Sequence, residues 1–184
     1  MLTAGIASFI LLLIVLWAIS IYNRLIRLRN LKEEGWSGVD VQLKRRHDLV
    51  GNLVNSVKGY MTHERGVLED VTRLRADSQR AKSIGDSIIA ESGLSGALGR
   101  LFAVMENYPE LKASSNVLAL QESLENLERE IQMARRYYNG TVRDLNTNIQ
   151  TFPANMVARR FGFAEAEFFE LENVEERIAP VVQL

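Results

Sequence analysis

The sequence predicts an all-α protein in which a single N-terminal transmembrane helix is followed by an elongated antiparallel three- to four-helix bundle. Three observations lead to this fold class. The first 23 residues carry no charged side chain, two later segments repeat apolar residues at helical spacing, and only three prolines interrupt 184 residues. An apolar content of 47% excludes a disordered tail, and a net charge of −1 gives no general attraction to nucleic acid.

Residues 1–23 are predicted to span a membrane. About 20 apolar residues, each rising 1.5 Å, are enough to cross a hydrocarbon core of roughly 30 Å. Trp17 and Tyr22 lie near the far end, where amphipathic rings favour the membrane interface. The residues assigned to the span are Leu2, Ile6, Phe9, Leu12, Leu16, Trp17 and Tyr22.

A cleaved signal peptide is the competing interpretation of this segment. It requires a basic start, a shorter apolar core and a cleavage site of small residues. Ala18-Ile19-Ser20 is a weak cleavage site, but no Lys or Arg precedes the apolar core. A retained membrane helix is therefore favoured.

Four basic residues follow the span directly: Arg24, Arg27, Arg29 and Lys32. No basic residue precedes the span, so the positive-inside rule places the N-terminus outside and the C-terminal domain in the cytoplasm. Alternatively, these side chains only extend towards lipid phosphates. Both interpretations place them in the headgroup layer.

The remaining chain divides into a membrane-exit helix or linker at 24–38, a helical bundle at 39–163 and an acidic tail at 164–184. Gly35 and Gly38 are predicted to bend the first helix. Residues 39–83 are predicted to form one amphipathic helix, 83–95 a connection with room for one short helix around Ile88-Ile89, and 94–107 a shorter helix that ends before Pro109. The first of these repeats apolar residues at Val39, Leu43, Val50, Leu53, Val57, Met61, Leu68, Val71 and Leu74.

The clearest helical pattern runs from Val117 to Ile149 with coiled-coil heptad spacing. Ser114 or Ser115 can cap its N-terminus, and the helix should stop before Pro153. A short amphipathic helix follows at 154–161. Long helices with one apolar face must pack on each other, which predicts the bundle.

Several segments resemble the LemA family in the order in which that family has them. They are Tyr22–Asn30, Trp36–Arg46, Asp48–Val54, Val57–Tyr60 and His63-Glu64, followed by Tyr137-Tyr138-Asn139, Asn146, Ile149, Phe152–Asn155, Phe161 and Phe168-Phe169. Together they cover nearly the whole chain. One departure is Gly51, where the family usually has proline, so the kink expected there should be softer.

The resemblance implies a membrane or lipid anchor, an elongated helical bundle and no established catalytic residues. It also implies, as a weaker partner hypothesis, a membrane protease of the HtpX type. With the charge pattern after the span, it predicts a single-pass protein of the bacterial inner (cytoplasmic) membrane.

The residues themselves suggest no catalytic, cofactor-binding or metal site. His47 and His63 are the two histidines and lie 16 residues apart, about 24 Å along a continuous helix. His63-Glu64 lacks the second histidine of a zinc protease motif, and neither a nucleophile elbow nor a phosphate loop is present. The absence of cysteine excludes thiol catalysis. The protein is therefore predicted not to be an enzyme.

Two groups of residues are candidates for contacts with a partner or a second subunit. Lys44, Arg45 and Arg46 are expected to pair with acidic groups on a neighbouring helix or subunit rather than with lipid. The second group holds five of the seven phenylalanines: Phe152, Phe161, Phe163, Phe168 and Phe169. These either cap the end of the bundle or form an exposed aromatic patch.

The function predicted from the sequence is a membrane-anchored, non-enzymatic helical scaffold or adaptor that forms a homo-oligomer and binds the lipid bilayer but no nucleic acid. The alternative is an accessory factor of a membrane protease or an enzyme with an unrecognised site. A signal-transducing bundle is the weakest hypothesis, because only a few residues precede the span.

Overall fold

The computed structural model describes residues 2–61 and 63–170, with all their side chains except that of residue 4. These residues form six helices and no strand: α1 (Leu2–Val57), α2 (Arg65–Arg80), α3 (Ile84–Met105), α4 (Pro109–Ala113), α5 (Ser115–Gln150) and α6 (Ala154–Arg160). The prediction of an all-α protein with a long N-terminal apolar helix is confirmed. Most of the acidic tail, from residue 171 onwards, lies outside the described residues.

The first helix continues through the predicted linker and ends earlier than expected. α1 runs through Gly35 and Gly38 without interruption, and the bend predicted at these glycines stays a prediction. The amphipathic helix predicted over 39–83 is two helices, because α1 ends at Val57 and α2 begins at Arg65. The amides of Tyr60 and Met61 both bind the carbonyl of Val57, at 3.0 and 3.2 Å, which closes the helix in a turn.

The connection predicted at 83–95 is also wrong, since α3 begins at Ile84. The hydroxyl of Ser83 accepts a hydrogen bond from the amide of Asp86 at 3.0 Å and so caps the helix. Ser87, Glu91 and Leu94 are buried along α3. Their packing compensates for the low helix propensity of the glycines in this segment.

The predicted ends of α5 and the predicted α6 are confirmed. α5 begins at Ser115, and the hydroxyl of Ser114 accepts from the amide of Val117 at 3.5 Å. It ends at Gln150, before Pro153, and α6 follows as a helix of 7 residues. Pro109 does not directly terminate α3 but occupies the first turn of α4.

The described residues form two compact units. The first unit contains residues 2–43 and 129–168, and therefore combines part of α1 with part of α5 and with α6. In this unit Trp36 packs edge-on against Tyr138, with ring centroids 5.6 Å apart, and Leu25 lies in one cluster with Ile149. Residue numbers rise along α1 as they fall along α5, so the two helices are antiparallel here.

The second unit contains residues 44–128 and 169–170, apart from residue 62. Asn116 of α5 donates to the hydroxyl of Ser56 of α1 at 3.4 Å, while Arg46 of α1 lies 3.6 Å from Glu128 of α5. These segments are therefore antiparallel as well. The core of the unit consists of Val50, Leu53, Val57, Met61, Leu68, Val71, Leu94, Ala97, Leu98, Leu101, Met105, Leu111, Val117 and Leu124.

Two of the described helices are long and apolar enough to cross a membrane. In α1 the most apolar window, near the N-terminus, has a mean hydropathy of 2.5 and is not buried at all. In α3 the corresponding window has a mean hydropathy of 1.3 and is one-third buried. Because α3 also carries Glu91 in a buried ion pair, we assign it to the core, and the start of α1 is the candidate membrane span.

The contact between α1 and α5 in the first unit is close at Gly35, and Gly38 provides a matched control. A Cβ atom at Gly35 would lie 3.2 Å from the Cα atom of Tyr138, whereas one at Gly38 would meet nothing within 4 Å. We expect Gly38→Ala to stabilise the protein by up to about 1 kcal/mol through helix propensity. Gly35→Ala should instead destabilise it by about 1 kcal/mol, because the two backbones must separate.

Thermal unfolding in detergent, followed by circular dichroism at the helix band, measures both changes. Equal stabilisation by the two substitutions would contradict the close approach of the helices at Gly35.

Candidate functional site

A group of buried polar side chains joins three helices of the second unit around Glu91. Glu91 lies in α3 and is only 1% exposed. Its carboxylate accepts hydrogen bonds from Arg46 Nη1 at 3.1 Å and from the hydroxyl of Ser78, and lies 2.7 Å from His47 Nε2. We call Arg46, His47, Ser78 and Glu91 the Glu91 cluster.

Further hydrogen bonds tie this cluster to the surrounding helices. Arg46 Nη2 donates to the hydroxyl of Ser95 at 2.8 Å. Arg75 Nε donates to the backbone carbonyl of His47 at 2.6 Å. The Arg75 guanidinium occupies space that a side chain at Gly51 would fill, since a Cβ there would lie 3.0 Å from its central carbon. The small residue at 51 thus lets α2 approach α1.

The electrostatics of the cluster favour an ionised Glu91. Burial on its own raises the pKa of Glu91, but the hydrogen bonds with His47 and Ser78 and the positive charge of Arg46 outweigh burial. The net result is a pKa below the usual 4.5. The cluster therefore holds a paired buried charge, which is the condition under which an ion is tolerated away from water.

A serine, a histidine and a carboxylate in contact invite comparison with a catalytic triad, but the geometry differs. In a triad the nucleophile and the carboxylate bind opposite nitrogens of the imidazole. Here Ser78 lies 3.0 Å from His47 Nε2, the same nitrogen that faces Glu91, and the serine hydroxyl donates to the carboxylate. All three side chains are buried. The arrangement cross-links helices and does not activate a nucleophile.

The basic run and the histidines occupy different environments. Arg46 is buried in the Glu91 cluster, where it pairs with acidic groups of α3 and α5. Lys44 and Arg45 are exposed on the same helical turn. His63 is exposed, whereas His47 is buried and is not a surface histidine. Over residues 2–61 and 63–170, no group of three or more His, Cys, Asp or Glu is placed to hold a metal ion.

A groove of about 850 Å³ lies on the second unit between the end of α1 and α2. None of the Glu91 cluster lines it. Its walls mix apolar residues with both signs of charge: Val54, Asn55, Lys58, Met61, Arg65, Leu68, Glu69, Thr72, Arg73, Ala76, Asp77 and Arg80. The groove therefore offers no converging set of like catalytic groups.

The short helix α6 packs against α1 directly after the apolar segment. Val157 and Ala158 are buried against Leu25. The helix ends in a Schellman motif, in which the Phe163 amide binds the Ala158 carbonyl at 3.0 Å and Gly162 has a φ of 72°. Only glycine adopts this backbone conformation readily, so Gly162 lets the chain turn back towards α1.

This turn brings aromatic rings together at the end of the apolar segment. The ring centroid of Tyr22 lies 4.8 Å from that of Phe161 and 5.8 Å from that of Phe163. The Arg29 guanidinium lies over the Phe163 ring at 5.8 Å, in cation–π geometry. Of the other basic residues that follow the apolar segment, Arg24 and Arg27 are exposed and Lys32 is half-buried.

The five C-terminal phenylalanines do not share one environment. Phe152 is 74% exposed and Phe161 is 60% exposed. Phe163 and Phe168 are half-buried, and Phe169 is buried. Some of these rings therefore help to close the fold while others face outwards.

Residues after α6 are fixed along α5 by side chains of that helix. Asn146 exchanges two hydrogen bonds with the backbone of Ala166, at 2.9 and 2.8 Å, and the hydroxyl of Tyr138 donates to the carbonyl of Glu167 at 2.8 Å. Burial, with a smaller contribution from the Glu167 charge, raises the pKa of Tyr138 to about 12. Tyr138 is therefore a neutral donor at physiological pH.

The residues assigned to the membrane span all lie in α1, and their side chains are open to the surroundings. Leu2, Ile6, Phe9, Leu12, Leu16 and Trp17 are exposed, and Tyr22 is half-buried against the C-terminal rings. A long apolar helix that exposes such a surface and then enters a packed helical core is compatible with a membrane-associated, all-helical protein.

The chain belongs to the LemA family. The sequence model of that family matches residues 35–184. The resemblance expected from the sequence motifs is thereby confirmed, and the protein is a LemA-type membrane-associated protein.

Curated relatives agree with this assignment. Magnetosome protein MamQ 2 of Paramagnetospirillum magneticum is 26% identical over 175 residues, which cover 81% of this chain and 64% of that protein. Magnetosome protein MamQ of Magnetospirillum gryphiswaldense is 25% identical over 174 residues, 80% of this chain and 64% of its own length. Protein LemA of Metamycoplasma hominis is 26% identical over 180 residues, 93% of this chain and 82% of that protein. The chain thus spans 64% of the length of the MamQ proteins, which is less than two-thirds.

Removing the charge of Glu91 tests the cluster. Glu91→Gln leaves the buried guanidinium of Arg46 without its main counter-ion, and we expect a loss of about 3 kcal/mol in the free energy of unfolding. Glu125→Gln, at an exposed position of α5, is the control and should change stability by less than about 0.5 kcal/mol. Denaturant unfolding in detergent compares the two, and equal effects would contradict the dependence of the buried Arg46 on Glu91 as its counter-ion.

The lowered pKa of Glu91 also predicts an acid dependence. Its carboxylate binds a proton less readily in the folded than in the unfolded chain, so its contribution to stability is complete above pH 4.5. That contribution falls as the pH drops through the folded pKa. Since Arg46, His47 and Ser78 face the carboxylate, protonation removes the charge they bind. The stability gap between the wild type and Glu91→Gln should narrow below pH 4.5; a constant gap would contradict the assignment.

Tyr138 and its neighbour Tyr137 form a matched pair. Tyr138→Phe removes the hydrogen bond to Glu167 and should cost about 1 kcal/mol. Tyr137 is 51% exposed, so Tyr137→Phe should be neutral within about 0.5 kcal/mol. Hydrogen exchange at residues 163–168 should increase only in the Tyr138 variant. Unchanged exchange there would show that this bond does not fix the segment.

Proposed function

We propose that this protein is a non-enzymatic, membrane-anchored helical scaffold or adaptor that self-associates and acts through protein–protein contacts at the inner membrane. One observation carries the proposal. The start of α1 is apolar and exposed, and the same helix continues without a break to residues that pack in both units. A continuous helix that combines a membrane anchor with part of a helical core is suited to a protein that holds other proteins at the bilayer.

The polar interior supports a structural rather than a catalytic role. The titratable side chain of Glu91 converges with Arg46 and His47, and these contacts link helices in the buried interior. Catalytic groups need access to a substrate, and this cluster is buried. The groove between α1 and α2 does not favour an enzyme with an unrecognised site either, since its charged residues are of mixed sign.

An exposed apolar pair on α5 supports self-association. Met133 and Tyr137 lie one helical turn apart and are 55% and 51% exposed. Tyr137 lies beside Gly35 of α1, so the surface formed by Met133 and Tyr137 adjoins a second helix of the same unit. Side chains of this kind favour burial against another protein. We propose this surface as the contact between copies of the chain.

The C-terminal part of the chain is proposed to lie in the cytoplasm, and an HtpX-type membrane protease is the proposed alternative partner. The exposed arginines after the span support the first proposal through the positive-inside rule. Protease digestion of inside-out vesicles should remove residues beyond α6, whereas protection of the tail would reverse the orientation.

Crosslinking in native membranes, followed by mass analysis, tests the scaffold function. We expect crosslinks between copies of the chain near Met133, and Met133→Glu should reduce them about tenfold by placing a charge in an apolar contact. Arg143→Glu, at an exposed position of the same helix, should leave them unchanged.

The mass of the detergent-extracted protein is an independent test of self-association. A strict monomer without crosslinks would overturn self-association, and crosslinks to an HtpX-type protease alone would favour the accessory role instead.

A further inference from the structure

We propose that the surface around α6 is a second membrane contact, which binds the anionic headgroup layer of the bilayer that α1 enters. The surface consists of Phe152, Met156, Arg159, Arg160 and Phe161, and we call it the α6 patch. This inference goes beyond the scaffold function, because it assigns a lipid surface as the partner of a segment outside the membrane span.

The depth of the α6 patch follows from its contacts with α1. Tyr22 closes the apolar segment, and a tyrosine at that position lies at the membrane interface. Phe161 packs on Tyr22 with ring centroids 4.8 Å apart. Three residues further along α1, Leu25 packs on the buried face of α6. When the apolar segment of α1 crosses a bilayer, α6 is therefore held at headgroup depth.

The chemistry of the α6 patch suits that layer. Phe152, Met156 and Phe161 are 74%, 64% and 60% exposed, although their apolar surfaces favour removal from water. Arg159 and Arg160 are exposed in the last turn of the helix, and guanidinium groups bind phosphate oxygens in pairs of hydrogen bonds. Apolar and basic side chains on the outer face of a short helix are typical of an interfacial segment.

A bilayer is a better occupant than a protein for this surface. α1 carries the membrane to the α6 patch in every copy of the chain, whereas a protein partner would have to displace headgroups at the same depth. The exposed Arg24 and Arg27 lie in α1 at the level of Tyr22 and Leu25. Four arginines at one depth complement an anionic lipid surface.

The chain contains no cysteine, so a single introduced cysteine can report on the depth of the α6 patch in the full-length protein. Met156→Cys is labelled with an environment-sensitive fluorophore, and the protein is reconstituted in phosphatidylcholine vesicles containing phosphatidylglycerol. Brominated lipid should quench the label. The control is Arg136→Cys, exposed on α5 and about 21 Å along that helix from its end at Gln150, where no quenching is expected.

A charge variant separates headgroup binding from simple proximity. Arg159→Gln with Arg160→Gln, in the Met156→Cys background, should lower the ratio of embedded to water-exposed label by up to about 30-fold in anionic vesicles. The same variant should change little in pure phosphatidylcholine. Circular dichroism confirms that its helix content is retained, and Arg143→Gln serves as the charge control.

Three results would overturn the proposal. The label at position 156 could remain unquenched by brominated lipid, or quenching could be equal at positions 156 and 136. Protection of the label could also depend on the ratio of protein to lipid, which would identify a second copy of the chain as the occupant. None of these results affects the crosslinks near Met133, so the scaffold function is tested separately.

Discussion

The fold depends on the burial of the apolar faces of α1 and α5 against each other, which recurs in both units. Val39, Ile131, Tyr138 and Val142 are completely buried in the first unit, as are Val50 and Leu53 in the second. Each fully buried aliphatic side chain contributes roughly 1.5–3 kcal/mol relative to exposure. Neither helix could retain such a face in water alone. Gly35 allows the close approach, because the Tyr138 backbone leaves little room for a side chain there.

The Glu91 cluster contributes to this fold in a different way. A buried ion pair gains little net stability over apolar residues of the same volume, since both charges must be removed from water. Its effect is on register. Leu94, Leu98 and Leu101 of α3 repeat at helical spacing, and a shift of one turn, about 5.4 Å, would still bury leucines. The same shift would remove Glu91 from Arg46 and His47, so we interpret the cluster as the device that fixes α3 against α1 and α2.

The sequence predicted those features that local patterns encode. The heptad seam indicated α5, Pro153 indicated its end, and the charge-free start indicated a long apolar helix. The break after Val57 was missed because Met61 and Leu68 continue the apolar spacing across it, and both are buried. α3 was missed at its start because Ser and Gly suggested a connection, while tertiary packing overrode their low propensity.

The sequence predicted that Arg46 pairs with acidic groups on a neighbouring helix or subunit, but it did not identify the partners, for a related reason. Glu91 meets Arg46, which lies 45 residues earlier, and no local spacing reports such a contact. The one available indication was a single carboxylate after the apolar run Ile88-Ile89-Ala90. Gly162 was likewise predictable in principle, since a glycine after Arg159 and Arg160 is a usual helix C-terminus. The environments of Phe163, Phe168 and Phe169 depend on the path of the chain after that glycine, which no local pattern encodes.

The packing of α6 on α1 explains how so short a helix can bind a membrane surface. A helix of 7 residues is too short to be stable or to bind a membrane firmly by itself. Because α6 is packed on Leu25 and turned back by Gly162, it is already folded and already at the interface when α1 is inserted. The ordering and translational costs of binding are then met by contacts within the protein. Two attachments at one depth also restrict the tilt of the first unit against the membrane, so Met133 and Tyr137 of α5 would stay at a constant height above its surface.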